Sequence, residues 1–365
     1  MLDVWDAVVI GAGPAGAVSA RELARSGCRT LLLDRAKFPR NKVCGCCLNG
    51  SALASLRRLG LGSIAESGVR LNDIMLAAGS ARATLRLTAG VAMSRALFDQ
   101  ALVDAARECG AAFRDGTTAK LESRTSEGAT VQVNGDTVAA RVVVLATGLG
   151  GGESEVQPGS RIGGGVVLRP EMAPDFYKAD RLFMATGKGG YVGLVRLADG
   201  SLDVAAAFDA DFVRSCGGLA AAANALLQRS AWPALPEANW KGTPALTRHR
   251  TEVAEDRLFA VGDATGYVEP FTGEGMAWAI ASAAALAPIA ARAAGEWNDD
   301  FIAEWRRTHA RIVGRRQRFC RAAARVLRSP ALTKLAVQAL GLAPVLARPF
   351  VASLNRPSRF PGSTA

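Results

Sequence analysis

The chain has 365 residues, 49% apolar and 21% charged, with a formal net charge of +11. The apolar fraction excludes a disordered chain, and Gly 39 with Pro 15 in no period excludes a collagen-like fibre. The length allows one large domain or two interleaved ones with ample core.

Asp6 to Ile10 is a short apolar run of strand character, followed by glycine-rich sequence and then Ala15 to Arg25 with helical composition. Thr30 to Leu33 is a second apolar run, closed by Asp34. This is a β-α-β unit. Residues 51–60 are expected to be helical and residues 71–87 to form two strands. Ser94 is expected to cap a helix whose apolar positions are Leu97, Phe98, Ala101, Leu102 and Ala105. Short strands then lead to Leu145. Residues 161–208 are β again, with a hairpin around Asp199-Gly200. Two helical pieces lie near 211–229, a strand at 257–262 and a helix at 274–294. Ala277 to Ala291 and Leu335 to Ala347 are apolar but short for a bilayer and broken by Pro288 and Pro344, so both are expected to be buried or interfacial helices.

Gly11-Ala12-Gly13-Pro14-Ala15-Gly16 fits G-x-G-x-x-G between the first strand and its helix. Gly11 permits the tight turn, Gly13 lets the backbone approach a pyrophosphate, and Gly16 lets helix and strand lie close. The helix N-terminus then stabilises phosphate charge. Asp34, 18 residues after Gly16, can accept the ribose hydroxyls of an adenosine and disfavours a phosphate there. The sequence therefore predicts a dinucleotide site, and not one for NADP.

The seven cysteines are Cys28, Cys44, Cys46, Cys47, Cys109, Cys216 and Cys320. Their number is odd and their spacing irregular, unlike a secreted disulfide framework. The N-terminus carries acids where a signal peptide needs bases. A reducing, cytoplasmic location is expected. Cys44-x-Cys46-Cys47 is not a usual zinc spacing, so no metal is expected.

The basic excess is local. Residues 301–365 hold 13 Lys plus Arg and one acid, Glu304, a net of +12. An Arg-rich stretch from Arg306 to Arg328, with Gly314 inside it, precedes a more apolar run from Leu332 to Val351. Three readings stay open: docking on an anionic membrane surface, packing on the body, and nucleic-acid binding. No stacking platform or recognition motif supports the last, so no nucleic acid is expected.

Downstream, Leu258 to Gly266 is a strand ending in Gly262-Asp263, and Pro270 to Met276 opens a helix. This resembles the second FAD motif of glutathione-reductase-type flavoproteins. The resemblance places Asp263 on the ribityl chain and the helix start, Gly273 to Met276, at the flavin pyrimidine end, where a positive helix terminus stabilises reduced flavin. Ala146-Thr147-Gly148 resembles the middle element of the same family. Lys42-Val43-Cys44-Gly45 resembles the Lys-x-Cys-Gly element of geranylgeranyl-reductase-like flavoproteins, a set related to phenol and quinol hydroxylases and to flavin halogenases. The tryptophan-halogenase element Trp-x-Trp-x-Ile-Pro is missing. Arg95 matches an arginine that contacts the FAD phosphate side, and is otherwise a solvated first-turn arginine.

The resemblance spans about residues 5–290 and implies an α/β fold. A Rossmann-like FAD-binding domain (1–70, 92–160, 250–298) is interleaved with a mainly β substrate domain (71–91, 161–249), followed by a basic helical C-terminal segment (299–365). It implies FAD as cofactor, bound by Gly11, Gly13, Ala15, Gly16, Asp34, Arg35, Lys42, Cys44, Arg95, Thr147, Gly148, Gly262, Asp263, Pro270, Gly273, Gly275 and Met276. Cys44, Tyr191 and Phe271 are the candidate catalytic residues, and Phe208 a further pocket wall. Cys44 is open to a second reading, as a small buried side chain. His249, between two arginines, is expected at the surface. NAD(P)H is open as a transient reductant, although Thr147-Gly148 stands where related hydroxylases carry Asp-Gly. The substrate implied is a lipophilic small molecule delivered from a membrane. The first reaction expected is hydroxylation of a phenol or quinol ring through a flavin hydroperoxide. The alternatives are reduction of isoprenoid double bonds and another FAD-dependent dehydrogenation.

Overall fold

The computed structural model describes residues 4–151, 154–269, 271, 273–357 and 360, without the side chains of Arg315 and Phe319. Two sheets organise the chain. The first has eight strands. At its centre Val4–Ile10 lies parallel to Thr30–Leu33 on one side and Asp136–Leu145 on the other, with Ile10 opposite both Leu33 and Leu145. Leu258–Ala260 joins parallel to Asp136–Leu145, and Ala112–Arg114 parallel to Thr30–Leu33. These strands are nearly continuous Val, Leu, Ile and Ala because both faces are covered.

Helices α1 (Pro14–Arg25), α2 (Gly50–Arg58) and α3 (Arg95–Glu108) pack with a long helix over one face. Ser94 caps α3 through its hydroxyl, which accepts from the Ala96 amide at 3.2 Å. Of the apolar positions of α3, Phe98 and Leu102 are buried whereas Leu97 is 59% exposed. The buried stripe of α3 includes Arg95 and Asp99, which pair at i,i+4 and turn the helix so that Leu97 faces out.

The second sheet has seven strands. The hairpin Asp73–Ala78/Ala81–Arg86 leaves the first region and joins it by lying parallel to Arg181–Gly187. Antiparallel pairing then runs through Gly190–Arg196, Leu202–Phe208, Ile162–Leu168 and Lys241–Ala245. One face packs on α5 (Leu219–Arg229), which follows the short α4 (Ala210–Cys216). Phe208 is on that covered face, in the core with Leu226 and Leu227, so it is not a wall of the flavin side.

The long helix is α6 (Gly275–Gly295), apolar on all sides and packed against α1 and α2. It is long and apolar enough to cross a membrane, yet 83% of its apolar window is buried inside the protein, as expected of a core helix.

The basic segment packs on the body. Helix α7 (Asp300–His309) is anchored by fully buried Trp305, whose Nε1 donates to the Ala260 carbonyl at 3.1 Å. A single π turn, Ala310–Gly314, hands over to α8 (Arg315–Leu327) at the glycine that weakened one unbroken helix in the sequence. Arg316 of α8 bonds Glu274 at 2.9 Å, at the start of α6. Helix α9 (Pro330–Leu342) lies on the strand Ala81–Arg86, with Gly341 so near the Arg82 carbonyl that a Cβ would sit 2.4 Å from its oxygen. After α10 (Arg348–Leu354), Asn355 accepts from the Gly50 amide at 2.8 Å.

Candidate functional site

The glycine loop follows the strand Val4–Ile10. Gly11 has φ +104°, and a Cβ there would lie 2.4 Å from the Ala146 carbonyl oxygen. A Cβ on Gly16 would lie 1.7 Å from the Gly11 carbonyl oxygen. No larger residue fits either place. Helix α1 starts without a side-chain cap and with Pro14 at its first position, so its first free amides point out of the fold. The open side of Gly13 meets two guanidinium groups. Arg40 Nη2 lies 3.6 Å and Arg95 Nη2 3.9 Å from its ideal Cβ. Amides, a helix terminus and two cations around one bare glycine fit a pyrophosphate.

Asp34 is used twice by the backbone. Its carboxylate accepts from the Ala12 amide at 2.8 Å and the Ala36 amide at 2.9 Å. These bonds hold the loop and leave the outer lone pairs for a ribose hydroxyl. Exposed Arg35 lies beside Gly150, its Nη2 3.3 Å from the ideal Cβ.

Gly262 and Ala15 bring the two motifs into contact, a Cβ on Gly262 falling 2.8 Å from that of Ala15. Asp263 follows directly. Its carboxylate takes no hydrogen bond among the described residues, and burial pushes its pKa up while Lys42 and Arg95 oppose the shift. Lys42 lines the mouth of this cleft, its Nζ 3.2 Å from the ideal Cβ of Gly148. Protein on most sides of it lowers its pKa, as does Arg95. Thr147 leads into the turn Gly148–Gly150 beside them. An unbonded carboxylate in a cleft, facing an ammonium, suits the hydroxyls of a ribityl chain. Past Gly273, Gly275 begins α6 with no side-chain cap on its amides, and Met276 is buried. Pro270 lies outside the described residues.

Arg95 is not the solvated first-turn arginine of the alternative reading. It is 5% exposed and forks onto Asp99 at 2.8 and 2.7 Å, with Cys44 as a further partner. Arg40 joins this pair through Asp99 at 3.2 Å. Arg40 and Asp99 are site residues that motif reading missed; only the i,i+4 spacing of Arg95 and Asp99 signalled them. Cys44 is half-buried between Arg95 and Tyr267. Burial pushes the Cys46 and Cys47 thiols up, with Asp203 adding to it, so both stay protonated.

Tyr191 and Phe271 meet edge to face, ring centroids 5.2 Å apart, on the face of the second sheet opposite α5. Tyr191 is 5% exposed, and its hydroxyl has no partner among the described residues. Burial first, then Glu269, holds its pKa well above the tyrosine range. Beneath it Arg161 bonds Glu269 at 2.7 Å, both buried, and Asp209 at 3.1 Å. His249 is exposed, and burial pushes His309 down to about 4, so it stays neutral.

A cleft of about 430 Å³, lined by Lys42, Ser94, Arg95, Cys46 and Asp203, opens at the other end of this sheet face. Asp203 is 4% exposed with one carboxylate oxygen unpartnered, and burial pushes it up to about 7. Its folded pKa thus exceeds the unfolded value of 3.8. The native state holds the extra proton between these values, so stability falls as pH rises through the window. Asp203→Asn is therefore expected to stabilise by about 2–3 kcal/mol at pH 8 and to lose that advantage near pH 4, read by urea unfolding at both pH values. Equal gain at both pH values would show that Asp203 does not titrate this way.

A two-motif dinucleotide cradle joined to a sheet with an aromatic inner face defines a flavoprotein fold. Residues 4–157 match the FAD binding domain family. That match spans less than half of the chain, and it makes the N-terminal part similar to FAD-binding domains. A menaquinone reductase of Mycolicibacterium smegmatis is 32% identical over 152 residues, 39% of this chain and 37% of that protein. A digeranylgeranylglycerophospholipid reductase of Methanothermobacter thermautotrophicus is 27% identical over 368 aligned positions, 88% of this chain and 83% of that one. The structure of a flavin-dependent brominase superposes with a TM-score of 0.78 at 17% identity, covering 97% of this chain and 94% of its own, and so shares the fold.

Proposed function

We propose that this chain reduces carbon–carbon double bonds of a lipophilic, isoprenoid-bearing substrate. The observation that carries the reading is Tyr191: a buried hydroxyl that keeps its proton and has no partner among the described residues, on an apolar face beside Phe271. The reductase names of both relatives support it. FAD held by the glycine cradle and the Asp263 cleft would supply the hydride chemistry for one alkene carbon. The other carbon then needs a proton, and our candidate donor is Tyr191 Oη. Buried Glu269, whose Oε2 takes no hydrogen bond among the described residues, adds to the burial that keeps the Tyr191 hydroxyl protonated. The apolar cluster around Tyr191, including Leu76, Met184 and Leu246, excludes water and suits a hydrocarbon chain. NAD(P)H is one source of the two electrons.

The test is anaerobic turnover of photoreduced holoprotein with a menaquinone and with a geranylgeranyl lipid, followed by mass spectrometry. Gain of two hydrogens without oxygen supports reduction. A product formed only in air and carrying one added oxygen atom restores ring hydroxylation. Tyr191→Phe is expected to keep FAD and slow reduction by about 100-fold or more. An unchanged rate would remove Tyr191 as the proton donor.

A further inference from the structure

We infer that the outward face of α9 and the turn after it dock this protein on an anionic lipid bilayer. Helix α9 is amphipathic in the reverse sense. Its buried side is the small one, with Thr333 and Val337 fully buried and Leu340 partly so. Its outward side carries Leu332, Leu335, Ala339 and Leu342, at spacings of three, four and three that make one continuous stripe. Leu335 is 61% and Leu342 89% exposed. Val345 and Leu346 extend the patch, at 53% and 60%. A soluble protein seldom shows water so large a contiguous apolar face without a partner for it.

The charge around the patch selects that partner. No acid occurs after Glu304 in the sequence, and Arg321, Arg325, Lys334, Arg348 and Arg356 are exposed on the helices and chain flanking the stripe. A second copy of the same patch would bring these cations against each other. An anionic membrane surface pairs with them and takes the leucines into its interface. The helix has 13 residues, too few to span a bilayer, and the chain bends by 116° after it. With its inner side held on the strand Ala81–Arg86, α9 lies along the surface rather than across it.

The position of α9 gives the docking a use. Val337 and Leu340 on its inner side belong to the same apolar cluster as Tyr191 and Phe271. One layer of side chains therefore separates the proposed bilayer contact from the proposed reaction face. This use rests on the lipophilic substrate proposed above, whereas the docking itself is read without turnover.

The experiment is flotation of full-length holoprotein with vesicles of phosphatidylcholine alone and of phosphatidylcholine with an equal share of phosphatidylglycerol. The wild type is expected to float with the anionic vesicles. The variant Leu335→Ser/Leu342→Ser/Leu346→Ser changes only exposed positions, so it should keep FAD and its melting temperature while binding falls at least about 30-fold. Arg321→Gln/Arg325→Gln should weaken binding and reduce its salt dependence. The proposal is overturned if the wild type does not bind. It is overturned equally if the serine variant binds like the wild type, which would leave only a charge contact. A wild-type dimer that the serine variant dissociates, with no vesicle binding by either, would assign the face to self-association instead.

Discussion

Arg161→Met is expected to destabilise the protein by about 3–5 kcal/mol at pH 8, because it strands a buried charge. Arg161 is 2% exposed and holds the Glu269 side chain, itself 1% exposed, at 2.7 Å. Asp209, its second partner, is 44% exposed and is rescued by water when Arg161 goes. Glu269 is not: among the described residues its other oxygen has only Arg328, at 3.9 Å. Burial already raises the Glu269 pKa above its usual 4.5, and loss of Arg161 raises it further. The folded state then binds a proton that the unfolded state releases, so the variant loses stability as pH climbs above 4.5. The deficit should be smaller at pH 5 than at pH 8. Arg161→Met/Glu269→Gln should recover most of the loss at pH 8, since a neutral amide has far less to lose by burial. Urea unfolding of both variants at the two pH values tests this. A deficit independent of pH, or no recovery in the double variant, would mean that Arg161 acts by packing alone.

This ion pair joins residues 108 apart in sequence, and nothing near either one announces the other. The glycine cradle is the opposite case. Gly11 and Gly16 are dictated by a backbone turn and a close approach within a few residues, so the motif carries its geometry in local sequence. The alternation of residues 71–87 likewise marked two strands, and they join the second sheet. What stayed hidden depends on which groups meet across the fold. Arg40 reaches Gly13, and Asp203 sits near Cys46, only because the loop 40–47 passes between the two sheets. Cys44 showed no such context in sequence, and its neighbours are Arg95 and Tyr267.

The basic segment shows the same limit from another side. Its charge was plain, and its contacts were not. Arg306 pairs with Glu252, Arg316 with Glu274 and Arg328 with the Gly159 carbonyl, so part of the excess is spent on binding the body. In α9 the residues of both faces are apolar, and periodicity cannot say which face the strand Ala81–Arg86 will cover. The packing decides, taking the side with Gly341 because a bare Cα lets the helix touch the Arg82 carbonyl. The larger leucines are left outside.

Asp263→Ala is expected to weaken FAD binding by about 10- to 100-fold, the effect of losing a charged acceptor for a hydroxyl. The stability of the apo chain should move in the other direction or not at all. Asp263 is a carboxylate whose pKa is raised by burial, and it takes no hydrogen bond among the described residues. Removing it therefore removes a desolvation cost. Lys42, at the mouth of the cleft, loses an opposing charge and sheds its proton more readily. Calorimetric melting with and without excess FAD separates the two effects. The wild type should gain a large increment from FAD by mass action, the apo melting temperatures should nearly coincide, and the variant's increment should shrink. Asp263→Asn, whose amide oxygen still accepts, should fall between them. A variant that melts far below the wild type without FAD would make Asp263 a structural residue of the cleft. An undiminished FAD increment in Asp263→Ala would remove it from the cofactor site.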